Sequence, residues 1–259
     1  DPTGLDLGTY TSTLLIASND EVDPLVNFPI TMTVVIQAAG VELTPDTDTN
    51  TGDPGELVEY TMILENTGNY IDTFTLNASG DWEVVLPVDS VELENGESTL
   101  LRIKVLVPGD ALASTSNITT ITATSAFDRH VSDSSILTTS ANKVYGVGLS
   151  PTTVTSKDYP NQSVVYTLTL TNTGNVEDTF TLTASGNVWQ VQLPVTSLSL
   201  APWESEEVMV YVTIPPEVDK GDTDTVTITA TSTSGVFADS ELTTEVIYYR
   251  MTLPFIPSY

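Results

Sequence analysis

A twelve-residue stretch, Glu65-Asn-Thr-Gly-Asn-Tyr-Ile-Asp-Thr-Phe-Thr-Leu76, returns as Thr171-Asn-Thr-Gly-Asn-Val-Glu-Asp-Thr-Phe-Thr-Leu182, 106 residues further on. A gapless return at that distance means a duplicated unit, so the chain must adopt a fold that one unit can form twice. Ahead of the shared stretch, Val58, Tyr60, Met62 and Leu64 alternate with polar residues, the period of two that marks a half-buried strand. Asn66-Thr-Gly-Asn69 then predicts a reversal built on residues that tolerate positive φ. Beyond it, Phe74, Leu76 and Ala78 alternate again. The unit is therefore strand, turn, strand.

The copies run in step on either side of this stretch. Val147 and Leu149 answer Val41 and Leu43, and Val164, Tyr166, Leu168 and Leu170 answer the Val58 series. Trp189, Val191 and Leu193 match Trp82, Val84 and Leu86, which predicts both tryptophans in the core. Val208, Val210, Val212 and Ile214 match Leu101, Ile103, Val105 and Val107. Val226, Ile228 and Ala230 match Thr119, Ile121 and Ala123, and a short strand near Ile136 closes the first copy. Inward positions stay apolar while outward ones drift, which is what a shared core requires. Helical periodicity is absent. About seven short strands per hundred residues, with turns every 8–12, fit an all-β chain of two tandem Ig-like sandwiches.

The boundaries follow from the repeat: residues 41–142 and 143–247 are the sandwiches, residues 1–40 stand before them, and residues 248–259 form an apolar, strand-like tail. Within 1–40, one strand enters a polar turn and a second carries Phe28, Ile30, Met32 and Val34 on one face. Met251, Leu253, Phe255 and Ile256 give the tail a comparable apolar character. Both extremities read as assembly surfaces, since a lone hairpin with an apolar face is marginal in water.

Net charge is −28, from 35 acidic residues against 7 Lys and Arg. That field repels phosphate backbones and anionic lipid, which excludes nucleic-acid and membrane partners. The chain has no cysteine, so disulfides, thiol catalysis and Cys-type zinc sites are absent together. Strands rich in Thr and Ser and poor in Lys suit an extracellular or cell-surface setting, and with no basic-then-apolar leader the chain reads as a processed product.

The pattern Asn-Thr-Gly-Asn, Asp-Thr-Phe and Trp-x-Val-x-Leu-Pro, carried by both copies, with Gly-Glu-Ser and Val-x-Val-Pro in the first, resembles the NEW3/CARDB group of bacterial extracellular Ig-like domains. The second copy departs from it at Pro202-Trp203-Glu204, which stands where the first has Asn95-Gly96-Glu97. Residues around Gly8-Thr-Tyr10, Leu14, Ile16 and Ser18-Asn-Asp20 resemble the last two strands of a further surface Ig-like module. The likeness implies sandwich domains that act as spacers, stalks or accessory modules rather than catalysts.

Candidate chemistry is sparse. His130 is the sole histidine, in Asp128-Arg-His-Val-Ser-Asp133, with no nucleophile elbow and no counterpart in the second copy. It reads as a surface residue. Asp46, Asp48, Asn50 and Asp53 alternate as in calcium loops, but the glycine comes one place late and Leu57 holds the twelfth position, so polar loop filler is the stronger reading and calcium the weaker. Trp203 is expected at an exposed tip, as a contact or sugar platform or folded back on its own domain. Asn77, Asn117 and Asn161 head glycosylation sequons.

No catalytic residue or cofactor is indicated. The leading expectation is a non-catalytic structural subunit of an extracellular fibre or surface array, whose partners are copies of itself joined head-to-tail by strand complementation. The alternative is a set of accessory or spacer domains of a larger secreted enzyme such as a protease. A sugar- or cation-binding module ranks third.

Overall fold

The computed structural model describes residues 5–19, 21–22 and 25–248. Among these the chain is all-β. The first two strands, β1 (Gly8–Ala17) and β2 (Leu25–Val34), form an antiparallel hairpin. The first repeat supplies β3 (Glu42–Thr44), β4 (Thr47–Gly52), β5 (Leu57–Glu65), β6 (Asp72–Ser79), β7 (Val84–Val85), β8 (Ser90–Leu93), β9 (Ser98–Leu106), β10 (Ser116–Ser125) and β11 (Ser132–Ala141). The second supplies β12 (Val147–Ser150), β13 (Thr153–Asp158), β14 (Ser163–Asn172), β15 (Asp178–Ser185), β16 (Gln190–Gln192), β17 (Ser197–Leu200), β18 (Ser205–Thr213), β19 (Thr223–Thr231) and β20 (Phe237–Val246).

Each repeat folds as two sheets. In the first, β3-β5-β9-β7 faces β4-β11-β10-β6-β8; in the second, β12-β14-β18-β16 faces β13-β20-β19-β15-β17. The strand order is the same in both. By compactness the chain divides into two units, residues 50–58, 105–117 and 139 onward forming the second and the rest the first.

Period-two alternation is what builds the cores. Val58, Tyr60, Met62 and Leu64 are all buried, as are Leu101, Ile103, Val105 and Val107. Their counterparts Val164, Tyr166, Leu168 and Leu170, and Val208, Val210, Val212 and Ile214, join Phe180, Leu182 and Trp189 in the second core. Each such aliphatic or aromatic side chain contributes about 1.5–3 kcal/mol on full burial. Buried hydroxyls then tie one sheet to the other. Tyr60 Oη donates to the Thr138 carbonyl at 3.0 Å, and Tyr166 Oη donates to the Thr243 carbonyl at 2.8 Å.

Three expectations are corrected. Residues 47–52, read as an acidic loop, form strand β4, which pairs with β11. An edge strand facing water on both sides needs no apolar alternation, and its polar sequence concealed it. Trp82 is only half-buried, whereas Trp189 is in the core. The strand near Ile136 is ten residues long, and it turns Leu137 inward and Ile136 out.

Candidate functional site

The shared Asn-Thr-Gly-Asn segment does more than reverse the chain. Its first asparagines, Asn66 and Asn172, are wholly buried; Asn66 follows β5 and Asn172 is the last residue of β14. Asn172 Nδ2 donates to the carbonyls of Val176 at 2.8 Å and Leu200 at 3.0 Å, while its Oδ1 accepts from the Gly174 amide at 2.9 Å. Asn66 makes the same set: Nδ2 to Tyr70 O at 2.8 Å and Leu93 O at 2.9 Å, and Oδ1 from Gly68 N at 3.0 Å. A primary amide offers two donors and one acceptor on a short stem, which is what this pocket of backbone groups needs.

The second asparagine of each segment grips the linker that enters its own sandwich. Asn69 Oδ1 accepts from Ala38 N at 2.7 Å, and its Nδ2 donates to Ile36 O at 2.8 Å. Asn69 N and Thr67 N donate to Ala38 O and Gly40 O. In the second unit, Asn175 Oδ1 accepts from Val144 N at 2.8 Å and its Nδ2 donates to Asn142 O at 2.8 Å. Asn175 N and Thr173 N donate to Val144 O and Gly146 O. Four bonds recur at both joints. Asn175 adds a fifth, donating to Ala111 O at 3.0 Å within the same unit.

The glycines are therefore needed for close approach. Neither Gly68 nor Gly174 has a positive φ, contrary to the expectation from sequence. A Cβ on Gly68 would lie 2.6 Å from Ala38 O, and one on Gly174 would lie 2.5 Å from Val144 O. Only a residue without a side chain lets the linker lie against the turn.

A second pair of buried groups fastens the other side of each turn. Asp178 accepts from Thr179 N at 2.8 Å, from Thr233 Oγ1 at 2.5 Å and from the Ser232 hydroxyl. Burial pushes its carboxyl up, but the Ser232 and Thr233 hydroxyls and the Thr179 and Thr233 amides outweigh burial and hold it below the usual range. Asp72 is placed alike, accepting from Thr73 N at 2.7 Å, Phe127 N at 3.1 Å and the Ser125 hydroxyl. Sequence reasoning missed both acids as functional groups. Their signal was present, since each follows the turn at the same place in the repeated stretch.

The remaining candidates are scattered. The His130 side chain is 97 % exposed and its ring lies 3.2 Å from Asp128 Oδ1. Bonds from the His130 amide and ring hold the Asp128 carboxyl below its usual range. Asp48 and Asn50 lie along extended β4 and bond the amides of Thr49 and Thr51, while Asp53 accepts from Asn142 Nδ2 at 2.9 Å. An extended strand cannot wrap alternate carboxylates around one ion, and among the described residues no group of three or more His, Cys, Asp or Glu could hold a metal. Asn77 and Asn161 are exposed, but Asn117 is 5 % exposed and faces inward on β10, which leaves no room for a glycan.

Trp203 is 45 % exposed at φ 60°, where the first repeat has Gly96 at φ 73°. It lines a cleft of about 300 Å³ with Asp53, Pro54, Gly109, Val144, Thr173 and Asn175, all within the second unit. In the hairpin, Phe28, Ile30 and Met32 are exposed and Val34 is half-buried. Met251, Leu253, Phe255 and Ile256 lie outside the described residues.

Taken together, the repeated asparagines and aspartates bond backbone groups and neighbouring hydroxyls, and so fix turns and linkers.

A family model described as "IG-like fold at C-terminal of FixG, putative oxidoreductase" matches residues 161–246, so the second repeat is an Ig-like domain. No curated protein sequence matches the chain. Among solved structures, a Porphyromonas gingivalis W83 protein of unknown function is 12 % identical at a TM-score of 0.35, covering 79 % of this chain and 99 % of its own. The PapD-like domain 7 of human CEP192 is 13 % identical at 0.33, covering 40 % of this chain and 87 % of its own. The Pseudomonas aeruginosa CupB2 chaperone is 8 % identical at 0.32, covering 77 % and 98 %. Likeness at these scores carries no argument about function.

Proposed function

We propose that this chain is a non-catalytic run of Ig-like modules that spaces or supports other parts of a secreted or cell-surface protein. The supporting observation is the recurring joint, in which four equivalent hydrogen bonds seat the linker on the Asn-Thr-Gly-Asn turn ahead of each sandwich. A device used at the entry to successive modules suits a serial array, and it consumes the polar groups that a binding site would need. The acidic surface and the lack of cysteine accord with a place outside the cell. An accessory role beside a catalytic part of the same polypeptide, such as a protease, is of this kind.

Sedimentation velocity at physiological salt, over a hundredfold range of chain concentration, tests the reading. A spacer gives a particle of finite mass at every concentration. Growth into open-ended polymers overturns it and favours the second reading, a fibre subunit joined to copies of itself by strand complementation. That reading has one observation in its favour: β1 and β2 are ten residues long and pair only with each other among the described residues.

A further inference from the structure

Both faces of the hairpin stand in water. Every residue of β1 and all but the last of β2 are exposed. Its register gathers most of the apolar side chains on one face. Tyr10 pairs with Met32, Ser12 with Ile30, Leu14 with Phe28 and Ile16 with Val26, so one face is almost wholly apolar. The other face is mixed: Thr9 with Thr33 and Thr11 with Thr31 are polar, while Leu15 with Asn27 and Ala17 with Leu25 are not wholly so. Leu14 is 51 % and Phe28 56 % exposed. Two strands with such a face are not stable alone in water, where three or more strands or a packed layer are needed.

We infer that β1 and β2 are the final two strands of a third module of the same repeat type, and that the remaining strands of that module, carried by the polypeptide ahead of the hairpin, cover the apolar face. The inference rests on the spacer reading and names the partner of its exposed end.

Two observations support it. The linker leaving β2 is held at Ile36, Ala38 and Gly40 by the same four bonds that hold the linker leaving β11 at Asn142, Val144 and Gly146. In the second joint, what precedes the linker is the last hairpin of a complete sandwich. Finally, the places left empty are those that the complete sandwiches fill. There, β10 is flanked by β6 and β11 by β4, and in the second copy the corresponding strand β13 runs parallel to β20. The partner is therefore a sheet offering an antiparallel strand to β1, a parallel strand to β2 and an apolar layer to Leu14, Ile16, Phe28, Ile30 and Met32.

A second copy of the chain fits less well. Hairpin against hairpin would leave four ten-residue edges unpaired, and each chain brings a charge of −28 to the contact.

Hydrogen exchange read by mass spectrometry, on the polypeptide as its source secretes it and on the 1–259 chain, tests the inference. In the secreted polypeptide the amides of β1 and β2 should be protected as well as those of β10 and β11; in the 1–259 chain they should exchange about a hundredfold faster or more. Equal exchange in the two samples would overturn the inference, as would a secreted polypeptide with no strands ahead of the hairpin. Protection that rises with the concentration of the 1–259 chain would identify a second copy as the partner, and overturn it too. An unprotected hairpin on a particle of finite mass sinks this inference alone, whereas polymer growth in the sedimentation experiment sinks the spacer reading.

Discussion

Replacing Asn172 by alanine isolates the part of the repeated motif that is invisible from outside. Its side chain is 0 % exposed and makes three bonds to backbone, at 2.8, 3.0 and 2.9 Å. Alanine orphans the Leu200 carbonyl and the Gly174 amide, both in buried residues, while the Val176 carbonyl lies nearer water and can recover a partner. Each buried group left unpaired costs about 1–3 kcal/mol, so the two together cost about 2–6 kcal/mol, centred near 4. At about 4–8 °C per kcal/mol for a domain of this size, the matching transition should fall by roughly 16–32 °C. Calorimetry of the whole chain reads this directly, because the first sandwich keeps its own Asn66 and should melt unchanged. Exposed Thr173 supplies the control, since Thr173→Ala should stay within about 0.5 kcal/mol. If Asn172→Ala proved as mild as Thr173→Ala, the asparagine would be a turn former and not a pin, and the account of the motif would fail.

Other consequences can be measured on the same protein. Gly174→Ala puts a methyl 2.5 Å from Val144 O, so it should cost about 1–3 kcal/mol in urea unfolding and speed exchange of the Val144 amide. Trp203→Gly relieves a left-handed φ of 60° and should stabilise the second sandwich by about 1 kcal/mol in the same unfolding assay, whatever contact it loses. Asp178 has a carboxyl held below its usual range in the folded chain, so its stabilisation is complete above the unfolded value of about 3.9 and is lost as pH falls through the folded value. Ser232→Ala with Thr233→Ala should move that titration, followed by carboxyl NMR, back up and flatten the acid limb of the stability curve. Phe28→Ser should reduce binding of the dye ANS to the 1–259 chain while leaving both sandwich transitions in place.

The cores were legible in the sequence because a half-buried strand writes itself in alternate residues. Tyr60, Ile103 and Val210 all lie where the period of two puts them. The clasp was not legible, because what Asn69 and Asn175 hold lies about thirty residues earlier in the chain and no local pattern points there. A turn-forming composition fits both a free reversal and a seat for a linker. β4 escaped notice because Thr47–Gly52 has no apolar side chain to mark its phase, its pairing being done by backbone. Asn117 looked like a surface sequon because its tripeptide says nothing about facing; the inward series Asn117, Thr119, Ile121 and Ala123 decides it. The hairpin was legible as a pair of strands with one apolar face, whereas the bonds that seat its linker around Ala38 were not.

Amide exchange at Ala38 and Val144, followed by NMR in the chain and in its Asn69→Ala and Asn175→Ala variants, tests most directly whether one joint is used twice. Both amides should be protected in the parent chain, with Asn69→Ala freeing Ala38 alone and Asn175→Ala freeing Val144 alone. Exchange at free-chain rates in the parent protein, at either position, would contradict the account.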